Sequence, residues 1–363
     1  MENEFLKKKM ELYNSIFNSS EKGKKNMMYS FSLFAANVKY FSNQIYTYSE
    51  LEKAYKNVLY YQNLASLEQY YRSNLLNSNI INTGKIDFED ILKNNKTPIF
   101  ATFHMGSYRL LNSFLYEKGF KSVLIVRGKV FEEQFENIFN EVKPILKRKK
   151  ESDIIILDAN DRKSIFKIKQ LVAKGYCLTV YLDGNTGVND EKGVQTKNHL
   201  EIPFLNSNMY IRKGIGQLAY LLKLDIIPVM SYRDVNEKNN IEFLPKILFN
   251  AYNNKDYIEK SLIICYKYLE NYLVTYPWQW ECWMYIHSWI NRDANMREKS
   301  VKNILNKNQY LPFYIGEKEY LTNLETYKIL PLKKKSINAL QNGELSFFSK
   351  TEIKELKNKL VLI

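Results

Sequence analysis

Histidine and cysteine are scarce in this chain, and long apolar runs are missing. There are three His and three Cys among 363 residues. Cys177, Cys265 and Cys282 show no metal-ligand spacing, and Cys177 lies inside an apolar, strand-like run. They are expected to be reduced, structural thiols of a cytosolic protein, which excludes a disulfide scaffold and leaves no metal site to predict. No apolar stretch reaches the roughly 18 residues that cross a bilayer. Residues 1–9 are polar and charged, unlike a secretory signal. The expectation is a cytoplasmic protein, soluble or peripheral at the inner face of the membrane. Internal repeats and low-complexity tracts are also absent.

Basic charge and aromatic rings are abundant. Lys and Arg number 53 against 39 Asp and Glu, a net charge of +14. Apart from Lys147–Lys150 and Lys333–Lys335 the lysines are spread along the chain, as on a solvated basic surface. Such a surface suits an anionic membrane or a phosphorylated ligand. No nucleic-acid-binding motif accompanies the charge, so no specific nucleic acid is expected. The 28 Tyr and 20 Phe are too numerous to mark a site. With 45% hydrophobic and 25% charged residues the chain has the balance of a folded globular protein.

Three regions are expected. Residues 1–90 read as helices that pack on the core, with apolar residues three and four apart from Glu50 towards Leu76. Residues 91–300 alternate strand-like and helical runs. The strand-like runs are Thr97–Phe103, Ser122–Val126, Asp153–Leu157, Tyr176–Leu182 and Asp225–Tyr232. Helical runs fall before Gly119, over Glu132–Val142, over Asp161–Lys174 and over Tyr210–Leu222, and a long amphipathic one covers Asp256–Val274. Asn240–Leu248 is expected to add an antiparallel strand. This pattern predicts an α/β fold, a mostly parallel central sheet flanked by helices. Residues 301–363 form a small C-terminal appendage.

In a parallel sheet, ligands bind beyond the carboxyl ends of the strands. His104 follows one such strand, with Gly106 and Ser107 turning into a helix; Arg127 follows the next; Asp183 follows a later one. A base, a cation and a carboxylate would thus meet at one edge. His is the side chain best suited to general base work near neutral pH. For Asp183, followed by Gly184, a local turn-forming role is equally compatible with the sequence.

Phe103–Tyr108, Arg127, Leu171–Asp183, Ile202–Asn206, Lys213–Ala219, Ile227–Val229 and Tyr276–Trp280 resemble, in order, the conserved blocks of bacterial lipid A biosynthesis acyltransferases of the lauroyl/myristoyl type. These belong to the lysophospholipid acyltransferase superfamily. The resemblance implies acyl transfer from a thioester, carried on acyl carrier protein or coenzyme A, to a hydroxyl or amine. No bound cofactor is implied. His104 would be the base, the backbone near Gly106 and Ser107 would stabilise the oxyanion, and Arg127 would hold a phosphate of donor or acceptor.

Two departures stand out. The family has an acid five residues after the His, and here that residue is Arg109. A guanidinium there should lower the His104 pKa. Asp183 is then the first choice for the missing carboxylate, and Arg109 joins the substrate-binding candidates. A reaction that manages with a neutral His104, and a non-catalytic member that binds an acyl chain or carrier protein, are the alternatives. The expected lack of an N-terminal membrane helix favours a soluble or carrier-bound acceptor. Trp278, Trp280, Trp283 and Trp289 are expected to pack the long helix onto the sheet.

Overall fold

A computed structural model describes residues 2–18, 21–126, 154–184, 198–250, 254–290 and 305–362, except positions 43, 45, 72, 73, 75, 76, 95, 96, 159, 160, 162 and 360. Three helices open the chain: α1 (Glu2–Phe17), α2 (Glu21–Phe41) and α3 (Tyr48–Glu68). Thr47 and Glu50 cap the start of α3 reciprocally, so the local sequence fixes where it begins. Next come β1 (Asn79–Ile81), α4 (Phe88–Lys93), β2 (Ile99–Thr102), α5 (Leu110–Glu117), β3 (Lys121–Val126), β4 (Ile154–Asp158), α6 (Ser164–Ala173) and β5 (Tyr176–Tyr181). They are followed by β6 (His199–Phe204), β7 (Ser207–Arg212), α7 (Gly214–Leu222), β8 (Ile226–Arg233), β9 (Asn239–Phe243) and α8 (Asn254–Thr275).

Among the described residues the central sheet has seven strands in the order β1-β9-β8-β2-β5-β3-β4. The five from β8 to β4 run parallel, and β9 pairs antiparallel with β8. Both faces are covered, which explains the continuous apolar runs of β2, β5 and β8. Ile99, Ala101, Leu178, Val180, Ile226 and Met230 face a core shared with α2, α7 and α8. Their neighbours Phe100, Cys177, Ile227 and Val229 face a second core with Leu110, Leu111, Phe114 and Leu115 of α5. That alternation is the period of two dictated by the pleat.

Two expectations need correction. The N-terminal region is not purely helical, because β1 pairs in parallel with β9 at the sheet edge. The helix expected over Tyr210–Leu222 starts only at Gly214; Tyr210–Arg212 belongs to β7, hairpinned with β6. In that hairpin Ile202, Phe204, Met209 and Ile211 are buried and alternate with more exposed residues, a strand period that the helical reading of Tyr210 overlooked. The helix expected over Glu132–Val142 lies outside the described residues.

The C-terminal part holds a three-stranded antiparallel sheet of β10 (Tyr310–Ile315), β11 (Lys318–Asn323) and β12 (Ile329–Leu332), then α9 (Ser336–Asn342) and α10 (Lys350–Asn358). Leu305, Tyr310, Leu321, Leu340, Leu356, Val361 and Leu362 form its core. It meets α2 through a Thr322–Ser32 hydroxyl hydrogen bond of 2.8 Å. Among the described residues no helix is long and apolar enough to cross a membrane.

Candidate active site

β2 and β5 are neighbours, and the ladder continues one step past them, with the Leu182 N–H donating to the Thr102 carbonyl at 2.9 Å. His104 and Asp183 therefore leave the sheet side by side. Their side chains meet, with His104 Nδ1 2.7 Å from Asp183 Oδ1. The His104 backbone N–H also donates to Asp183 Oδ2 at 2.9 Å. Asp183 is fully buried, and Oδ2 also accepts from the Trp280 indole N–H at 2.8 Å and the Cys282 thiol at 3.2 Å.

This surrounding fixes the charge states. Burial opposes ionisation of Asp183, but the adjacent imidazole and the N–H donors outweigh it and hold the carboxyl below its ordinary range. Burial likewise opposes an imidazolium at His104. The Asp183 charge, its hydrogen bond and the nearby Glu281 overcome that and push the His104 pKa up. Arg109 acts in the expected downward direction, but it is outweighed, so the expected lowering of His104 is corrected to a rise. The His104 side chain keeps 21% exposure. Nδ1 is held by Asp183, and Nε2 has no hydrogen-bond partner among the described residues. The ring lies between Tyr181, stacked at 4.6 Å, and Tyr108, edge-on at 4.9 Å.

The other expected residues take different places. Arg109 lies over the Tyr108 ring at 5.5 Å, with Nε donating to the Tyr108 hydroxyl and Nη1 to Gln69 Oε1. Gly106 has φ +56°, and a Cβ there would lie 2.5 Å from the Ser231 carbonyl oxygen, so the turn after His104 requires glycine. Its N–H, expected to face an oxyanion, donates instead to the Gln279 carbonyl at 3.1 Å. The Ser107 side chain is likewise turned inward, buried between Glu68 and Asn239. Glu68 also carries a buried ion pair with Arg233 at the end of β8. Arg127 lies outside the described residues.

No protein-family model matches this chain, and no characterised protein matches it either. Function has to be read from the site itself. Ligand atoms of His104, Asp183 and Cys282 lie within 4.8 Å of one another. Yet the Cys282 thiol donates to Asp183 Oδ2, and the Asp183 oxygens also accept N–H donors from His104 and Trp280, so the ligand atoms are already engaged with one another. These three residues suit a hydrogen-bonded His–Asp pair better than a metal centre. The sequence did not single out Glu281, and it took Cys282 for a structural thiol and Trp280 for a packing residue, assigning neither a contact with Asp183. The one signal for them was polar residues set among the tryptophans of Pro277–Trp283. Glu68 and Arg233 gave none, since only the folded chain brings them together.

Proposed function

We propose that this protein transfers an acyl group from a thioester to a hydroxyl or amine, with His104 as general base. The observation that carries this reading is the 2.7 Å pairing of His104 Nδ1 with a buried Asp183, with no partner for Nε2 among the described residues at the carboxyl edge of the sheet. Asp183 accepts the Nδ1–H, which places the free lone pair on Nε2. Nε2 takes the proton from the acceptor's hydroxyl or amine as its oxygen or nitrogen attacks the thioester carbonyl. The tetrahedral intermediate collapses, the C–S bond breaks, and the imidazolium returns its proton to the departing thiolate. Asp183, held ionised, stabilises the imidazolium between the two proton transfers.

The stepwise resemblance to the lipid A acyltransferases supports the same reaction. The net charge of +14 suits a donor whose phosphopantetheine or coenzyme A arm is anionic, and equally a peripheral contact with an anionic membrane. A soluble or carrier-bound acceptor is the proposed second substrate. The second reading, a non-catalytic acyl-chain or carrier-protein binder, is favoured by one observation: the Gly106 N–H and the Ser107 hydroxyl are already bonded within the protein.

The test is incubation of the purified protein with acyl carrier protein and coenzyme A thioesters, followed by mass spectrometry of released thiol and acylated acceptor. Turnover lost in a folded His104→Ala variant is the expected result. Near-normal turnover in that variant removes His104 from the mechanism. Binding of acyl carrier protein without turnover for any donor establishes the second reading.

A further inference from the structure

The segment that follows α8 lies across the ends of three adjacent strands. At β8, the Gln279 side-chain amide accepts from the Arg233 N–H at 2.8 Å and donates to the Arg233 carbonyl at 2.8 Å. Beyond β2, the Gln279 carbonyl accepts the Gly106 N–H, Met105 and Trp280 form an antiparallel bridge, and the Glu281 N–H donates to the His104 carbonyl at 2.9 Å. Beyond β5, the Trp280 indole and the Cys282 thiol both donate to Asp183 Oδ2. Residues 279–282 thus hold the end of β8, the His104 turn and Asp183 together.

We propose that Trp280, supported by Cys282, is a positioning residue that sets the rotation of the Asp183 carboxylate and through it the tautomer of His104. This rests on the reading of His104 as the base. A carboxylate with one partnered oxygen can swing about its last torsion, which is broad and two-fold. The His104 backbone N–H reaches both carboxylate oxygens, at 3.2 and 2.9 Å, and so does not by itself choose between them. The Trp280 and Cys282 donors, fixed on Oδ2, leave Oδ1 facing Nδ1, so Nδ1 keeps its proton and Nε2 its lone pair. The indole can serve as such a fixed donor because its ring cannot move. Trp280 has no exposed surface and is wedged against Phe204 and Trp283, each at 5.5 Å, and Trp289 at 6.4 Å. Packing accounts for the ring, while its N–H, 2.8 Å from the carboxylate, is a charge-assisted bond.

Trp280→Phe removes the donor and keeps an aromatic ring. The probe is the side-chain 15N spectrum of histidine-labelled protein, readable because the chain has only three His. In the wild type, neutral His104 is expected as the Nδ1–H tautomer. In folded Trp280→Phe a mixture of both tautomers is expected. The variant's kcat should fall about tenfold with KM unchanged, the rate equivalent of one hydrogen bond to a charged group. Cys282→Ala should shift the tautomer ratio in the same direction by less. A folded Trp280→Phe with the wild-type ratio overturns the proposal. If Trp280→Phe does not fold, Cys282→Ala decides by the same spectrum, and an unchanged ratio there overturns it. The spectrum needs no turnover. A tautomer shift in a protein inactive with every thioester therefore sinks the acyl-transfer reading while the positioning role stands.

Discussion

The carboxylate facing His104 comes from another strand, and the residue where a neighbouring acid would stand is a cation, Arg109. Two charges of opposite sign therefore bear on one imidazole, and contact decides between them. Asp183 hydrogen-bonds the ring at 2.7 Å, whereas Arg109 spends its donors on Tyr108 and Gln69. Asp183→Asn keeps the shape and removes the charge. Turnover is expected to fall by roughly a hundredfold or more, because the amide can leave the wrong tautomer facing the substrate. The pH profile should move as well. In the proposed role His104 works as a base when neutral, so wild-type kcat/KM should rise through a midpoint above the ordinary imidazole value of 6.5. In Asp183→Asn burial and Arg109 lose their main opponent, and the midpoint should drop. A profile measured from pH 5 to 9 checks both statements; an unmoved midpoint excludes Asp183 as the cause. The signs for stability differ between the partners. The raised His104 contributes stability that is complete below pH 6.5 and is lost as pH rises through its folded value. The lowered Asp183 contributes stability above its ordinary value, lost as pH falls through its depressed one. His104 and Asp183 were legible in the sequence because each ends an apolar strand run. Trp280 was expected only to pack and Glu281 was given no role, because nothing local ties this distant downstream segment to those strand ends.

At the scale of elements, the turn from β2 into α5 carries the site. The alternating pattern marked its strand and helix, and the Gly106–Ser107 pair marked the turn. What the pattern could not reveal is the inward use of that turn. Gly106 presses on the end of β8, and Ser107 reaches Glu68 at the end of α3 and Asn239 at the start of β9. The turn is thus clamped from two sides. Gly106→Ala would put a Cβ 2.5 Å from the Ser231 carbonyl oxygen in a left-handed conformation. The combined strain and clash should cost more than about 2 kcal/mol. Urea unfolding is the measurement, and a midpoint equal to that of the wild type would show that the turn relaxes freely. Element boundaries failed where two periods compete. Ser207–Leu222 contains a strand, a two-fold pattern at Met209 and Ile211, and then a helix, and the apolar residues of both merge into one run when read at helical spacing.

For the whole molecule, the α/β class followed from alternation of short apolar runs and amphipathic ones, since only a sheet covered on both faces buries both kinds. The position of the C-terminal region did not follow, because its lysine-rich composition says nothing of what its apolar residues touch. Residues 305–362 have their own core, yet Leu311, Leu324 and Tyr327 are buried in the main cluster beside α2 and the tryptophans. Tyr327 lies 5.7 Å from the His287 ring, and Asn37 of α2 lies within hydrogen-bonding distance of that same His287. The appendage therefore seals the outer side of the layer of α2 and the tryptophan segment whose inner residues hold the His104–Asp183 pair. A chain ended at residue 304 lacks those three side chains and should expose the apolar partners they cover on α2 and the tryptophan segment. At ~1.5–3 kcal/mol for each large apolar side chain returned to water, the loss is several kcal/mol, a large part of the stability of an ordinary domain. The truncated chain is expected to unfold at clearly lower urea than the full chain, and to lose the proposed acyl transfer because α2 no longer backs the tryptophan segment. Equal urea midpoints for the two chains would mean that the appendage is an independent lobe, and that its contacts with α2 contribute nothing to the site.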